Sequence, residues 1–130
     1  MKQKLLPFIL IALLGIACFS CKNNKEIAPS VDFAPYISAY TGGVISSESP
    51  IQIQLTQDVP VVQLNSEIKE KLFNFSPSLK GKTYWVSNNT IEFVPEPGQL
   101  KPDALYNATF KLGKVMKTDK KASTFHFRFV

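Results

Sequence analysis

Two thiols stand close together near the start of the chain, Cys18 and Cys21, and no cysteine follows them in the 130-residue sequence. Lys2 and Lys4 precede an apolar run from Leu5 to Ala17, after which small residues lead into the cysteines and the polar stretch Lys22-Asn23-Asn24-Lys25 follows. A basic start, a short apolar run and small residues before a cysteine suit a bacterial lipoprotein signal, in which the cysteine thiol takes up diacylglycerol and becomes the mature N-terminus. The run is shorter than the roughly 17–25 residues that cross a bilayer as a helix, and Pro7 and Gly15 weaken it further, so cleavage is expected rather than a permanent span. Cys21, with Ser20 at −1 and Cys18 at −3, is the expected lipidation site. Cys18, with Ala17 at −1 and Gly15 at −3, is the alternative. An ordinary secretory signal with incidental cysteines, or a Cys18–Cys21 disulfide, remains open. Beyond residue 21 the sequence supports neither a disulfide framework nor a cysteine metal site.

The other candidates for chemistry are isolated. His126 is the one histidine and has no HxxxH or HxH partner, so a zinc site there would need carboxylates gathered from elsewhere. A Ser/His/Asp arrangement is open to convergence in space, but the Gly-x-Ser-x-Gly elbow is missing, and Ser76 and Ser78 flank Pro77 as turn residues. Glu92 and Glu96 read as an outward strand residue and a turn residue, and phosphate-cradling glycine motifs are absent. Lys114, Lys117, Lys120 and Lys121 form a basic cluster interrupted by Asp119 and without interleaved aromatics, which reads as a solvated loop. Trp85, Tyr84 and Tyr106 are candidates for an aromatic ligand platform, with core packing as the competing use. Three Asn-x-Ser/Thr sequons, at Asn74, Asn88 and Asn107, are read as chance behind a bacterial signal.

These residues must be placed by a small fold. The sequence has 45% apolar and 19% charged residues, nine Pro, six Gly and ten Phe, a composition that favours a single turn-rich sheet domain and disfavours a helical bundle. Formal charge is +5, falling to +3 once Lys2 and Lys4 leave with the signal, which is not a nucleic-acid-binding charge. Residues 1–20 are expected to be the signal peptide, 21–35 a lipidated tether containing Pro29 and Pro35, and 36–130 the folded domain.

From Tyr36 onward, short alternating segments are separated by turn residues, the pattern of a sandwich. Tyr36–Tyr40 ends at Gly42-Gly43, and Val44–Ser46 can pair briefly. Ile51, Ile53 and Leu55 alternate with polar residues. Asn65 or Ser66 can cap one helical turn through Leu64, Ile68 and Leu72, with Glu67 near its positive end. Phe73 and Phe75 alternate, Leu79–Lys82 reads as a turn into Thr83–Ser87, and Asn88-Asn89 reads as a hairpin turn before Ile91 and Phe93. Tyr106 marks a corner before Ala108, Phe110 and Leu112. Residues 113–123 form the basic loop, and Phe125, Phe127 and Phe129 give the clearest period-two stretch. The expected inward set is Ile51, Ile53, Leu55, Ile91, Phe93, Phe110, Phe125, Phe127 and Phe129.

The segments Ser76–Lys82, Tyr84-Trp-Val, Asn89-Thr-Ile-Glu-Phe-Val-Pro95, Leu100-Lys-Pro-Asp-Ala-Leu-Tyr106 and Phe110–Lys114 together resemble bacterial immunoglobulin-like domains. With the lipobox, Ala39–Ser46 and Ser49–Ile53, the chain is similar to the start of Bacteroidetes-type alpha-2-macroglobulin lipoproteins. The resemblance implies an antiparallel immunoglobulin-like β-sandwich in an envelope protein that entraps proteases after cleavage of a bait region. The thioester of that family needs a Cys-x-x-Gln-type motif, which residues 22–130 cannot supply, so only the first domain's role as a packing spacer carries over.

The expected function is therefore a non-catalytic structural or interaction domain of a lipid-anchored envelope protein, without cofactor or metal. Ending on Phe125–Val130 with no polar tail suggests a fragment. Expected partners are the membrane through the N-terminal lipid, neighbouring domains of a longer chain, and proteases indirectly, with no nucleic acid. The alternative is a self-contained envelope lipoprotein that binds a peptide or glycan through a sheet edge or an aromatic platform.

Overall fold

The computed structural model describes residues 30–60 and 62–130. Cys18, Cys21 and the expected signal peptide lie outside the described residues, as does most of the expected tether. Within residues 30–35 the chain is already packed: Val31–Phe33 form a 3-10 turn capped by the Ser30 hydroxyl, and Phe33 is buried edge-on against Phe125, with ring centroids 4.9 Å apart. The tether expected up to residue 35 thus gives way to the domain near Ser30, because one aromatic side chain gains more by burial than a polar linker would lose in freedom.

Eight strands follow among the described residues: β1 (Ile37–Tyr40), β2 (Ile51–Leu55), β3 (Glu67–Ile68), β4 (Phe73–Ser76), β5 (Gly81–Ser87), β6 (Thr90–Pro95), β7 (Tyr106–Phe110) and β8 (Phe125–Phe129). One sheet has the order β1-β2-β6-β5-β3 and the other β4-β7-β8, with every named pairing antiparallel. Without β3, the orders are those of the two sheets of an immunoglobulin domain. The protein is an all-β, antiparallel immunoglobulin-like sandwich with one short extra strand between β2 and β4.

Alternation builds the core between the sheets. β2, β7 and β8 bury every second residue, and every member of the expected inward set is buried, Ile51, Ile53, Ile91 and Phe110 completely. Phe73, Phe93, Phe110, Phe125, Phe127 and Phe129 pack their rings within it in tilted and stacked contacts. Such pairs add about 0.5–1.5 kcal/mol beyond the area they bury.

Four local expectations are corrected by long-range pairing. Asn65 and Ser66 cap no helix. Asn65 adopts a left-handed φ of 59° and turns the chain, so that Glu67 and Ile68 pair with Tyr84 and Thr83 as β3. One helical turn cannot sustain itself, whereas the side of β5 offers ready ladder partners. Leu64, expected on the helix's apolar face, is 44% exposed. β5 begins two residues earlier than the alternation indicates, at Gly81, where it lies so close to the paired strand β6 that a Cβ would run into the Val94 carbonyl and lie 2.7 Å from the Phe93 ring.

The basic loop is also more than a solvated excursion. Two 3-10 turns, Leu112–Lys114 and Lys120–Ala122, bury Leu112 and Ala122 and lay Val115 and Met116 over the end of the core. Finally, the brief pairing expected at Val44–Ser46 occurs one residue earlier, as a parallel bridge from Gly43 to Phe129.

Candidate functional site

The residues singled out for chemistry are dispersed. His126 lies exposed on the outer face of β8, opposite Thr109 of β7. Among the described residues there is no cluster of His, Cys, Asp and Glu able to hold a metal ion. Ser76 and Ser78 are exposed beside Pro77 on the far side of β7 from His126, since β7 separates β4 from β8. Glu92 accepts a 2.6 Å hydrogen bond from Gln52 on the outer face of the larger sheet, and Glu96 is an exposed turn residue.

The three aromatics divide into separate roles. Trp85 points inward and is half-buried against the core, while Tyr84 lies on the outer face opposite Glu92. Tyr106 is 3% exposed and makes the corner that its position suggested: its hydroxyl accepts from the Lys101 amide at 3.0 Å and donates to the Gln99 carbonyl at 3.3 Å. No common platform joins them. Of the basic cluster, Lys114 pairs with Glu70 at 3.2 Å, while Lys117, Lys120 and Lys121 are exposed.

Hollows at one end of the sandwich and along one flank result from the packing. At the end of the sandwich where β8 finishes, a hollow of about 280 Å³ is bounded by Val44, Ile45, Leu100, Tyr106, Phe129 and Val130. Val44 is 88% exposed at its rim and Val130 37%. A hollow of about 600 Å³, walled by Pro95, Pro97 and Pro102, adjoins it through the shared Leu100 and Lys101.

A groove of about 430 Å³ runs along the flank where the two sheets part, between β4 on one side and β3 with the start of β5 on the other. Phe75, Leu79 and Phe93 are among its apolar lining, and Lys69, Lys71, Lys80 and Lys82 are among its charges. Glu67 sits between two of these lysines. The Lys69 ammonium, bonded to it at 3.0 Å, holds its carboxyl below the usual 4.5 against a smaller opposing effect of burial, and Lys82 at 3.5 Å adds to the lowering.

Sequence reasoning did not find this groove. Its signal was the spacing Lys69, Lys71 and Lys80, Lys82 on either side of a strand, the charge pattern that guards an exposed sheet edge.

No known family matches the sequence, and no curated protein matches it. Among solved structures, the chain is similar in part to L,D-transpeptidase 3 from Mycobacterium tuberculosis in complex with a faropenem-derived adduct, with 11% identity over 75% of this chain and a TM-score of 0.49. The same enzyme at 1.32 Å resolution gives 11% identity over 72% and 0.48, and an L,D-transpeptidase from Mycobacterium tuberculosis H37Rv gives 10% over 72% and 0.47. The chain spans little more than a third of the length of these structures, 37%, 36% and 39% respectively. The fold assignment above stands on this chain's own strand order.

Proposed function

We propose that this chain is a non-catalytic spacer and interaction domain held at the bacterial envelope by a lipid on Cys21. Within that reading it is the membrane-proximal first domain of a macroglobulin-like protease-trapping lipoprotein. The observation that supports it is the polarity of the sandwich. Phe33 packs beside Phe125, where β8 begins, and Val130 lies at the other end of the same strand, beside Val44 and the 280 Å³ hollow. β8 spans about 17 Å at roughly 3.4 Å per residue, so the two ends of the domain sit at opposite poles. A domain of that shape adds reach in series. The apolar rim at the distal pole is the kind of surface that packs against a neighbour.

Two experiments test the reading. Metabolic labelling with a palmitate analogue should mark the wild-type chain and be lost on Cys21→Ser. Loss on Cys18→Ser with retention on Cys21→Ser would move the anchor to Cys18. The reading frame beyond the Val130 codon should continue into further sandwich domains and a Cys-x-x-Gln-type motif. A stop codon there followed by an unrelated gene would remove the macroglobulin part and leave a self-contained envelope binder. The groove beside β4 favours that second reading, since it offers a binding surface that no neighbouring domain needs to complete.

A further inference from the structure

We infer that the flank of the sandwich beside β4 is a docking groove for an extended acidic peptide segment, which adds to β4 as a strand. This does not rest on the spacer reading and holds whether or not other domains follow.

The first support is the state of the backbone. β4 is the terminal strand of its sheet and pairs with β7 alone. The Lys111 amide donates to the Leu72 carbonyl at 2.9 Å, which makes Leu72 and Lys111 a hydrogen-bonded pair. Antiparallel ladders alternate, so Asn74 and Ser76 also direct their amides and carbonyls to β7 while Phe73 and Phe75 direct theirs away from it. Two successive sets of strand donors and acceptors therefore face the groove at the spacing that an added strand requires.

The other edges are less available. β1 carries a bulge between Ile37 and Ala39, and the Ser38 hydroxyl turns back to the Gln54 and Leu55 carbonyls. The distal end of β8 is taken by the chain itself, through Ile45 amide to Val130 carbonyl and Val130 amide to Gly43 carbonyl, both 2.8 Å. β3 is two residues long. β4 is a regular four-residue edge, neither bulged nor strapped by its own chain, with a groove beside it.

The hollow suggests the character of the occupant. On a strand paired with β4, alternate side chains would fall over Phe75, Leu79 and Phe93, where apolar groups fit. Between them, the outward side chains would meet a basic rim. Glu67 is shared by Lys69 and Lys82, and Glu70 is matched by Lys114. Lys71 and Lys80 take part in no ion pair among the described residues, and Glu96 alone of the lining acids is left against them. The excess is positive. It also disfavours a second copy of this chain, whose own β4 would bring lysines against lysines.

The test uses the full chain and a labelled peptide of alternating valine and glutamate. Fluorescence anisotropy should report binding that weakens as salt rises, since charges on an exposed rim are screened. Hydrogen exchange should show new protection at the Phe73 and Phe75 amides and not at Tyr40. Methylating the peptide nitrogens on its pairing edge should abolish binding, and the exposed double variant Lys71→Glu with Lys80→Glu should weaken it by about three- to tenfold while far-UV circular dichroism is unchanged. Equal binding of a valine–lysine peptide, protection at another edge, or indifference to methylation would overturn the proposal. So would protection of Phe73 and Phe75 that rises with protein concentration when no peptide is present, because the occupant would then be a second copy.

Discussion

The two flanks of this sandwich solve the same problem in opposite ways. On the β1/β8 side the chain closes its own seam: Tyr40 stands edge-on to Phe125 and Phe127, with centroids 5.1 and 5.8 Å away, and residues 43–45 run alongside the end of β8. On the β3/β4 side the two sheets diverge, β3 covers only Thr83 and Tyr84, and a groove remains with lysines around it. Closure came from aromatic packing and backbone bonds, whereas the open side is guarded by charge. An edge that is strapped by its own chain is spent on stability. An edge guarded only by solvated lysines is kept from aggregation and stays available to a partner of opposite charge.

The difference can be broken most severely at the closed seam. Phe125→Ala removes a 1% exposed ring that touches Phe33, Tyr40 and Phe127, and it should cost about 3–5 kcal/mol in urea unfolding. A loss under 1 kcal/mol would show that the seam is not the packed side. Gly81→Ala attacks the open flank where β5 begins its pairing with β6. Its Cβ meets the Val94 carbonyl and the Phe93 ring, so a loss of about 1–3 kcal/mol is expected, read as a lowered midpoint at unchanged slope. Full tolerance would mean that β5 and β6 lie further apart there than the structure shows.

A smaller effect belongs to the distal end of the strap. Gly43 has φ of 69° with open space around the Cβ position, so Gly43→Ala should cost about 1–2 kcal/mol from backbone conformation alone. It should also speed exchange of the Val130 amide, which bonds to the Gly43 carbonyl. Exchange that leaves Val130 as protected as before would detach the strap from the conformation of Gly43.

The smallest effect is at Glu67. Its folded pKa lies below the usual 4.5, so the stability it adds is present above that value and is lost as pH falls through the lower, folded one. Glu67→Gln should flatten the acid limb of the pH–stability curve slightly and leave neutral pH nearly unchanged, because the pair is near the surface and screened. An acid limb of unchanged steepness would show that the lysine contacts do not hold in solution.

How much of this was legible in the sequence depended on distance along the chain. The inward faces of β2, β6, β7 and β8 were readable because alternation is a local property: Ile51-Gln-Ile-Gln-Leu can bury one face only in one register. The hairpin at Asn88-Asn89 and the corner at Tyr106 were readable for the same reason, since turn chemistry sits in a few adjacent residues. The expectation of a lipid on Cys21 or Cys18 rests on sequence alone, as both residues lie outside those described.

Tertiary structure decided the rest. Glu67 and Ile68 became a strand because β5, some sixteen residues on, offered ladder partners that outweighed a one-turn helix. Phe33 joined the core because the fold brings Phe125, from the far end of the chain, to its side. The groove, too, exists only where β4, β5 and the Phe93 ring meet from three parts of the chain. Periodicity in a sequence states which face of a strand is apolar. Which strands lie at the edges, and what lies beside them, is set by the balance of pairings across the whole domain.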